Sequence, residues 1–138
     1  MANIQRTNDV FAVDKTLTKH LRDFWGIPRP DWLTSKSYWW VVYSGQNWIG
    51  YSAFRIHDEE SVYLGPTFVK AEHRGKGLQK ILINKRVNMA KKMGFQKIIT
   101  STLMTAYSSS NNLIKCKFHL RPAWFELESE TLYWQRDI

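Results

Sequence analysis

The stretch Val62–Leu82, VYLGPTFVKAEHRGKGLQKIL, decides how the chain is read. It opens as a β-rich run over Val62–Lys70, crosses a polar loop at Ala71–Gly77 and enters a helical pattern at Leu78. Pro66 removes one backbone donor, so the strand is expected to be bulged or locally unpaired there. In the loop, Gly75 and Gly77 let main-chain N–H groups approach an anion with no Cβ in the way. The helix start adds several unpaired donors and about half a positive charge, and Arg74 and Lys76 supply full charges. Together these features describe a pyrophosphate cradle. Two common cradles are excluded. A Walker A loop needs Ser or Thr after its Lys, whereas Lys76 is followed by Gly77 and Leu78. The dinucleotide fingerprint needs a third glycine at fixed spacing, and here it is absent.

The helix expected over Leu78–Met93 places Leu78, Ile81, Leu82, Met89, Ala90 and Met93 mostly on one face, with lysines opposite and Gly94 just past its end. The charge of the molecule is concentrated here. The formal net charge is +8, and between Lys70 and Lys97 nine basic residues face Glu72 alone. Outside that window eleven basic residues balance eleven acidic ones. A field confined to one segment attracts a polyanion to it, either nucleic acid or a phosphate-rich cofactor. Nucleic acid is not favoured, because no aromatic side chains interleave with the basic run as a single-strand stacking platform requires.

Working outward, the 138 residues suit a single domain over residues 1–138. Ile4–Thr7 reads as a first strand. Thr7-Asn8-Asp9 offers cap chemistry to a helix carried by Val10, Val13, Leu17, Leu21 and Phe24 and stopped by Gly26, Pro28 and Pro30. Pro28–Lys36, with Trp32, reads as a loop. Ser37–Ser44 is dense enough in β-branched and aromatic residues to be a strand covered on both faces. After the turn Gly45-Gln46-Asn47, Trp48–Ile56 reads as its hairpin partner, and His57–Ser61 turns the chain into Val62. Beyond the long helix, Gln96–Met104 is a strand, Ser108–Asn111 would cap a short helix running to Phe118, and Ala123–Leu127 with Thr131–Arg136 reads as a closing hairpin. The order is that of a mixed α/β sheet.

No apolar run reaches the ~20 residues that span a bilayer, and the N-terminus lacks a signal-peptide core, so a cytoplasmic protein with no membrane partner is expected. The lone Cys116 makes no internal disulfide, and no Cys/His cluster has metal-ligand spacing, so no metal is expected.

Val69 stands five residues before Arg74, and Arg74-Gly75-Lys76-Gly77-Leu78-Gln79 follows the strand. This resembles the acetyl-CoA-binding motif of the GNAT superfamily of N-acetyltransferases, with Gln79 at a place usually held by a small residue. The likeness extends over nearly the whole chain, Ile4–Phe24 resembling the opening strand and acceptor-side helix and Gln96–Phe118 the later strand and helix. It implies a mostly antiparallel central sheet, splayed between its fourth and fifth strands and flanked by helices. It also implies that acetyl-CoA is the cofactor. Phe68, Val69 and Lys70 would flank the pantetheine arm, Arg74, Gly75, Lys76, Gly77, Leu78 and Gln79 would hold the pyrophosphate, and Asn111 would join the cofactor-binding set. An amine-bearing acceptor, a primary amine of a small molecule, peptide or protein, would attack the thioester directly, beside a backbone N–H near Val69, in a monomer or homodimer.

The chain departs from the family at its catalytic positions. The family's Tyr, seven residues after an Asn in the late helix, falls on Phe118 counting from Asn111. Its frequent strand Glu, eleven residues before the motif's first place, falls on Tyr63, and a phenol is a poor base at neutral pH. Tyr107 could protonate the leaving sulfur, and Glu60 or His57 could take the amine's proton through water. Cys116 has nothing in the sequence around it to activate a thiol. Trp25, Trp32, Trp39, Trp40 and Trp48 could line an acceptor pocket, although core packing accounts for most of them. Absence of the usual Tyr and Glu leaves a second reading, a module that binds acetyl-CoA, has lost catalysis and acts through a partner.

Overall fold

Strand and helix patterns become ten elements in a computed structural model that describes residues 2–10, 14–26, 37–123 and 130–138. They are β1 (Ala2–Thr7), α1 (Lys15–Trp25), β2 (Ser37–Ser44), β3 (Asn47–Ile56), β4 (Ser61–Val69), α2 (Leu78–Lys92), β5 (Lys97–Leu103), α3 (Tyr107–Lys115), β6 (His119–Leu120) and β7 (Thr131–Asp137), with a short 3₁₀ turn at Ala71–His73. The strands form one sheet in the order β1-β2-β3-β4-β5-β7-β6. It is a mixed α/β fold with a mostly antiparallel sheet; β4 and β5 run parallel. Two compact units divide the chain, one of Met1–Ile56 with Gly65–Leu78, the other of His57–Leu64 with Gln79–Ile138.

In the first unit the helix cap differs from the sequence expectation. Asp14, not Thr7–Asp9, caps α1: its Oδ1 accepts from the amides of Thr16 at 2.7 Å and Leu17 at 3.3 Å. Asp9 instead donates its amide to Thr7 Oγ1 at 3.1 Å, a local turn upstream of the helix. Gly26 ends α1 as expected, its left-handed backbone letting the amide return to Arg22 O. Val13 and the Pro28–Lys36 loop with Trp32 lie outside the described residues.

Beneath α1, Leu17 and Leu21 pack with Val10, Trp39, Val41, Trp48, Tyr51 and Ala53. Trp40 and Val42, of opposite parity on β2, are buried as well. Burial on both faces is what the dense run Ser37–Ser44 predicts. The β2–β3 register slips between Val42 and Tyr43, leaving Ile49 as the extra residue of a bulge. That extra residue resets the alternation of side chains and brings Trp48 to the same cluster as Tyr51.

The second unit packs α2 through Leu82, Ile83, Val87 and Ala90, with Ile98 of β5, Leu113 of α3, Phe118, Tyr133 and Trp134 also buried in it. This corrects the expected helix face: Ile81 and Met93 are exposed, and Ile83 and Val87 take their places. The inward stripe also includes Arg86, which is 2% exposed and donates Nε to Leu82 O at 3.2 Å. Burial lowers the Arg86 guanidinium to about 9. One of the nine cations counted in the basic segment therefore sits in the core rather than on the surface.

The parallel β4–β5 ladder runs through Ser61–Lys97, Val62–Ile98 and Tyr63–Ile99. β4 continues beyond that register through Pro66 to Val69. The missing proline donor thus falls past the segment paired with β5. α3 starts at Tyr107 after Ala106, without a side-chain cap from Ser108–Asn111. β7 pairs with His119–Leu120, where the sequence suggested Ala123–Leu127. Ala123 is not in a strand, and residues 124–127 of that expectation lie outside the described residues.

Candidate active site at the end of β4

β4 ends at Val69, and the side chains around that end are fixed by several contacts within the first unit. Arg74 turns back so that its Nε donates to Val69 O at 2.7 Å, and its guanidinium lies 5.5 Å from the Phe68 ring centroid. Lys70 donates its amide to Ile49 O at 2.8 Å, and its Nζ sits 4.1 Å from the centroid of the Trp48 ring. The strand end is thus held on both sides of Val69, whose side chain is buried. Gly50 lets the backbones come this close: a Cβ built there would meet Phe68 O at 2.9 Å.

Beyond the 3₁₀ turn, Gly75 and Gly77 take φ of +75° and +81°, a region that disfavours side chains, and open space surrounds both. Arg74 and Lys76 are exposed beside them, and Leu78, mostly buried, opens α2. No acidic residue stands in the first turn of α2 to compete for its amides. Two glycines, two exposed cations and a helix start without acidic residues suit a diphosphate, with Glu72 the one carboxylate in the loop.

In the second unit, Gln79 accepts a hydrogen bond at Oε1 from Asn112 Nδ2 at 3.0 Å, which ties its longer side chain to α3. Asn111, the position expected from the sequence, is exposed one residue away. Tyr63 OH lies 2.8 Å from Ser101 Oγ across the parallel pair. Glu60 is in the turn before β4, within 3.7 Å of Lys97 Nζ in an exposed ion pair, worth little to stability. Tyr107 opens α3 and is 71% exposed. Cys116 and Phe118 are buried, so neither reaches solvent chemistry.

One arrangement went unread in the sequence. Fully buried Tyr51 accepts a hydrogen bond from Trp25 Nε1 at 2.5 Å and lies 2.8 Å from His20 Nε2. Burial raises the Tyr51 phenol, so it keeps its proton. A buried O–H needs an acceptor, and His20 Nε2 provides it. His20 therefore carries its own proton on Nδ1. Partial burial, reinforced by the Lys70 charge and opposed by Asp23, holds the imidazole below its usual range and so neutral at pH 7. The available signal was positional: His20 is three residues after Leu17 on the inward side of α1.

Around this chain stand more rings. His20 stacks on Phe24 at 5.2 Å and lies 4.5 Å from Phe68, and Phe24 meets Phe68 edge-on at 5.1 Å. Of the tryptophans expected to line a pocket, Trp39, Trp40 and Trp48 are buried in the core, whereas Trp25 is exposed.

Among the described residues no group of three or more His, Cys, Asp and Glu could hold a metal, and no helix is long and apolar enough to cross a membrane. Comparison with solved structures finds the same fold repeatedly. An IAA acetyltransferase from Bacillus cereus ATCC 14579 superposes with a TM-score of 0.79 at 19% identity, each chain covered in full. A Bacillus subtilis acetyltransferase in complex with CoA gives 0.80 at 16%, covering 100% of this chain and 99% of that one. The PaiA N-acetyltransferase of Thermoplasma acidophilum, in complex with coenzyme A, gives 0.73 at 14%, with 99% of each chain covered. At such identities the likeness is one of fold. No curated protein matches the sequence. The sequence does match the acetyltransferase (GNAT) family over residues 4–118, a span that holds β4, the glycine loop and α2, and the chain belongs to that family.

Proposed function

We propose that the protein is an acetyl-CoA-dependent N-acetyltransferase that acetylates a primary amine by direct attack. The observation that carries this reading is the strand end and loop: Val69 held by Arg74 and Lys70 by Ile49, then two left-handed glycines and two exposed cations before an acid-free helix start. Acetyl-CoA supplies the activated carbonyl, and solved relatives of this fold hold CoA.

In this reading Arg74, Lys76 and the amides of Gly75–Gln79 hold the pyrophosphate, and Phe68–Lys70 offer backbone groups to the pantetheine arm. The neutral amine forms a new N–C bond as the C–S bond breaks, and in net one proton passes from nitrogen to sulfur. A backbone N–H near Val69 would face the negative charge that develops on the carbonyl oxygen, and such a preset donor is a large term in acyl transfer. Tyr107 is assigned as the proton donor to sulfur, and Glu60 or His57 as the acceptor of the amine proton through water. Tyr63, bonded to Ser101, ties β4 to β5. Asn111 is assigned to the cofactor-binding set, beside Asn112, which restrains Gln79.

Thermal-shift titration tests the cofactor site. Acetyl-CoA should raise the melting temperature, and Arg74→Ala with Lys76→Ala should abolish the rise. A rise that persists in the double variant would place the phosphates elsewhere. Turnover of an amine panel then separates an enzyme from a binding module, and Tyr107→Phe with undiminished kcat would remove Tyr107 as the acid.

A further inference from the structure

The first unit carries an aromatic surface that continues outward from its core at the end of α1. Phe24 is 58% exposed and Trp25 42% exposed, side by side at the end of α1 with ring centroids 5.2 Å apart. Their inner neighbours, His20 and Phe68, are half-buried. Below them Tyr51 stacks near-parallel to Phe68 at 5.9 Å and Trp48 closes the floor. Large aromatic side chains left together in water mark a binding surface more often than a structural one. This surface is also rigid. The Trp25–Tyr51–His20 hydrogen-bond chain locks α1 to β3 and fixes the imidazole with Nδ1–H as its remaining donor.

Charge narrows what fits. Among the described residues Lys70 lies over Trp48 and Arg74 over Phe68. Of the acids on α1 and at its cap, Asp23 pairs with Lys19, and Asp14 caps the helix. Among these described acids of α1 and its cap none is left unpaired, so a second positive charge on a ligand would meet Lys70 and Arg74 instead. A flat, uncharged ring would meet Phe24, Trp25 and Phe68 and displace water from them.

We infer that the acceptor is a primary monoamine bearing an aromatic ring, the ring resting on Phe24, Trp25 and Phe68 with His20 Nδ1–H as a polar anchor. This rests on the transferase reading, because it takes Phe68–Val69 as the place where the thioester lies. The ring shelf selects the acceptor, and the adjoining strand end presents the carbonyl to its amine.

The test compares 2-phenylethylamine with spermidine in acetyl-CoA turnover. 2-Phenylethylamine should have the higher kcat/KM, and Phe24→Ala should raise its KM about fivefold with kcat and the KM for acetyl-CoA unchanged, as loss of one aromatic contact implies. Equal or better turnover of spermidine, or an unchanged KM in Phe24→Ala, would overturn the inference while leaving the transferase intact. Should acetyl-CoA neither shift the melting temperature nor be consumed, the transferase reading fails instead. The shelf is then decided by tryptophan fluorescence, read with and without CoA. Saturable quenching by 2-phenylethylamine that Phe24→Ala removes upholds an aromatic site, and absence of quenching disproves it.

Discussion

Tyr51 is the buried hub of the first unit, and its two partners differ in what they need from it. Trp25 gives it a proton to share, whereas His20 takes one. Because burial holds the His20 imidazole below its unfolded range, the native state favours the neutral ring. The stability this contributes is present above the unfolded value near pH 6.5. It is lost as pH falls through the lower folded value, where the charged ring would face Lys70 and lose the Tyr51 proton. Asp23, on the same helix, softens the effect without reversing it. The melting temperature should therefore drop between pH 7 and pH 5, and His20→Phe, which keeps a ring against Phe24 and Phe68, should make that drop smaller. An identical pH profile in the variant would show that His20 does not titrate with folding. Arg74 illustrates a different residue-scale device, in which one guanidinium edge holds Val69 O and the rest remains exposed for an anion. Lysine has no such fork.

At the scale of elements, the close approach of β3 and β4 depends on one missing methyl group. Gly50 faces Phe68 O, and a Cβ at 2.9 Å from a backbone oxygen has no flexible neighbour to push aside. Gly50→Ala should destabilise the protein by about 1–3 kcal/mol, the usual cost of overpacking, and should also weaken acetyl-CoA binding by moving Phe68–Val69. Chemical denaturation and a thermal-shift titration of the same variant measure both effects; wild-type values in each would mean that the strands have slack. The bulge at Ile49 belongs to the same device. It turns Trp48 towards Tyr51 and leaves Ile49 O to receive the Lys70 amide, so one irregularity serves the core and the strand end together.

At the scale of the whole molecule, the excess charge of +8 comes from the segment that contains the loop and α2, with Arg86 buried inside it. A small ligand with few phosphates should respond weakly to salt. Between 50 and 200 mM salt its affinity should fall by less than about tenfold, whereas a protein bound to duplex DNA through many phosphates loses about a thousandfold or more. Isothermal calorimetry of acetyl-CoA across that range checks the point, and a steep slope would return nucleic acid to consideration. Strands, the long helix and the glycine loop were legible in the sequence because each depends on neighbours in the chain: alternation, helical period, two glycines beside two cations. Near misses came where distant residues compete. Ile81 and Ile83 are equally apolar, and only packing chose Ile83. Arg86 reads as a surface cation until its place on the inward stripe of α2 is known. Asp14 and Asp9 are equally able caps, and the start of the helix decided between them. β6 was misplaced because a two-residue strand has too little sequence to carry a pattern. The sequence by itself determined the fold family and the glycine loop, since both are written in local spacing. Tertiary structure alone decided the Tyr51–His20–Trp25 chain and the aromatic surface, because residues 31 and 26 positions apart meet only after the sheet and helix have folded.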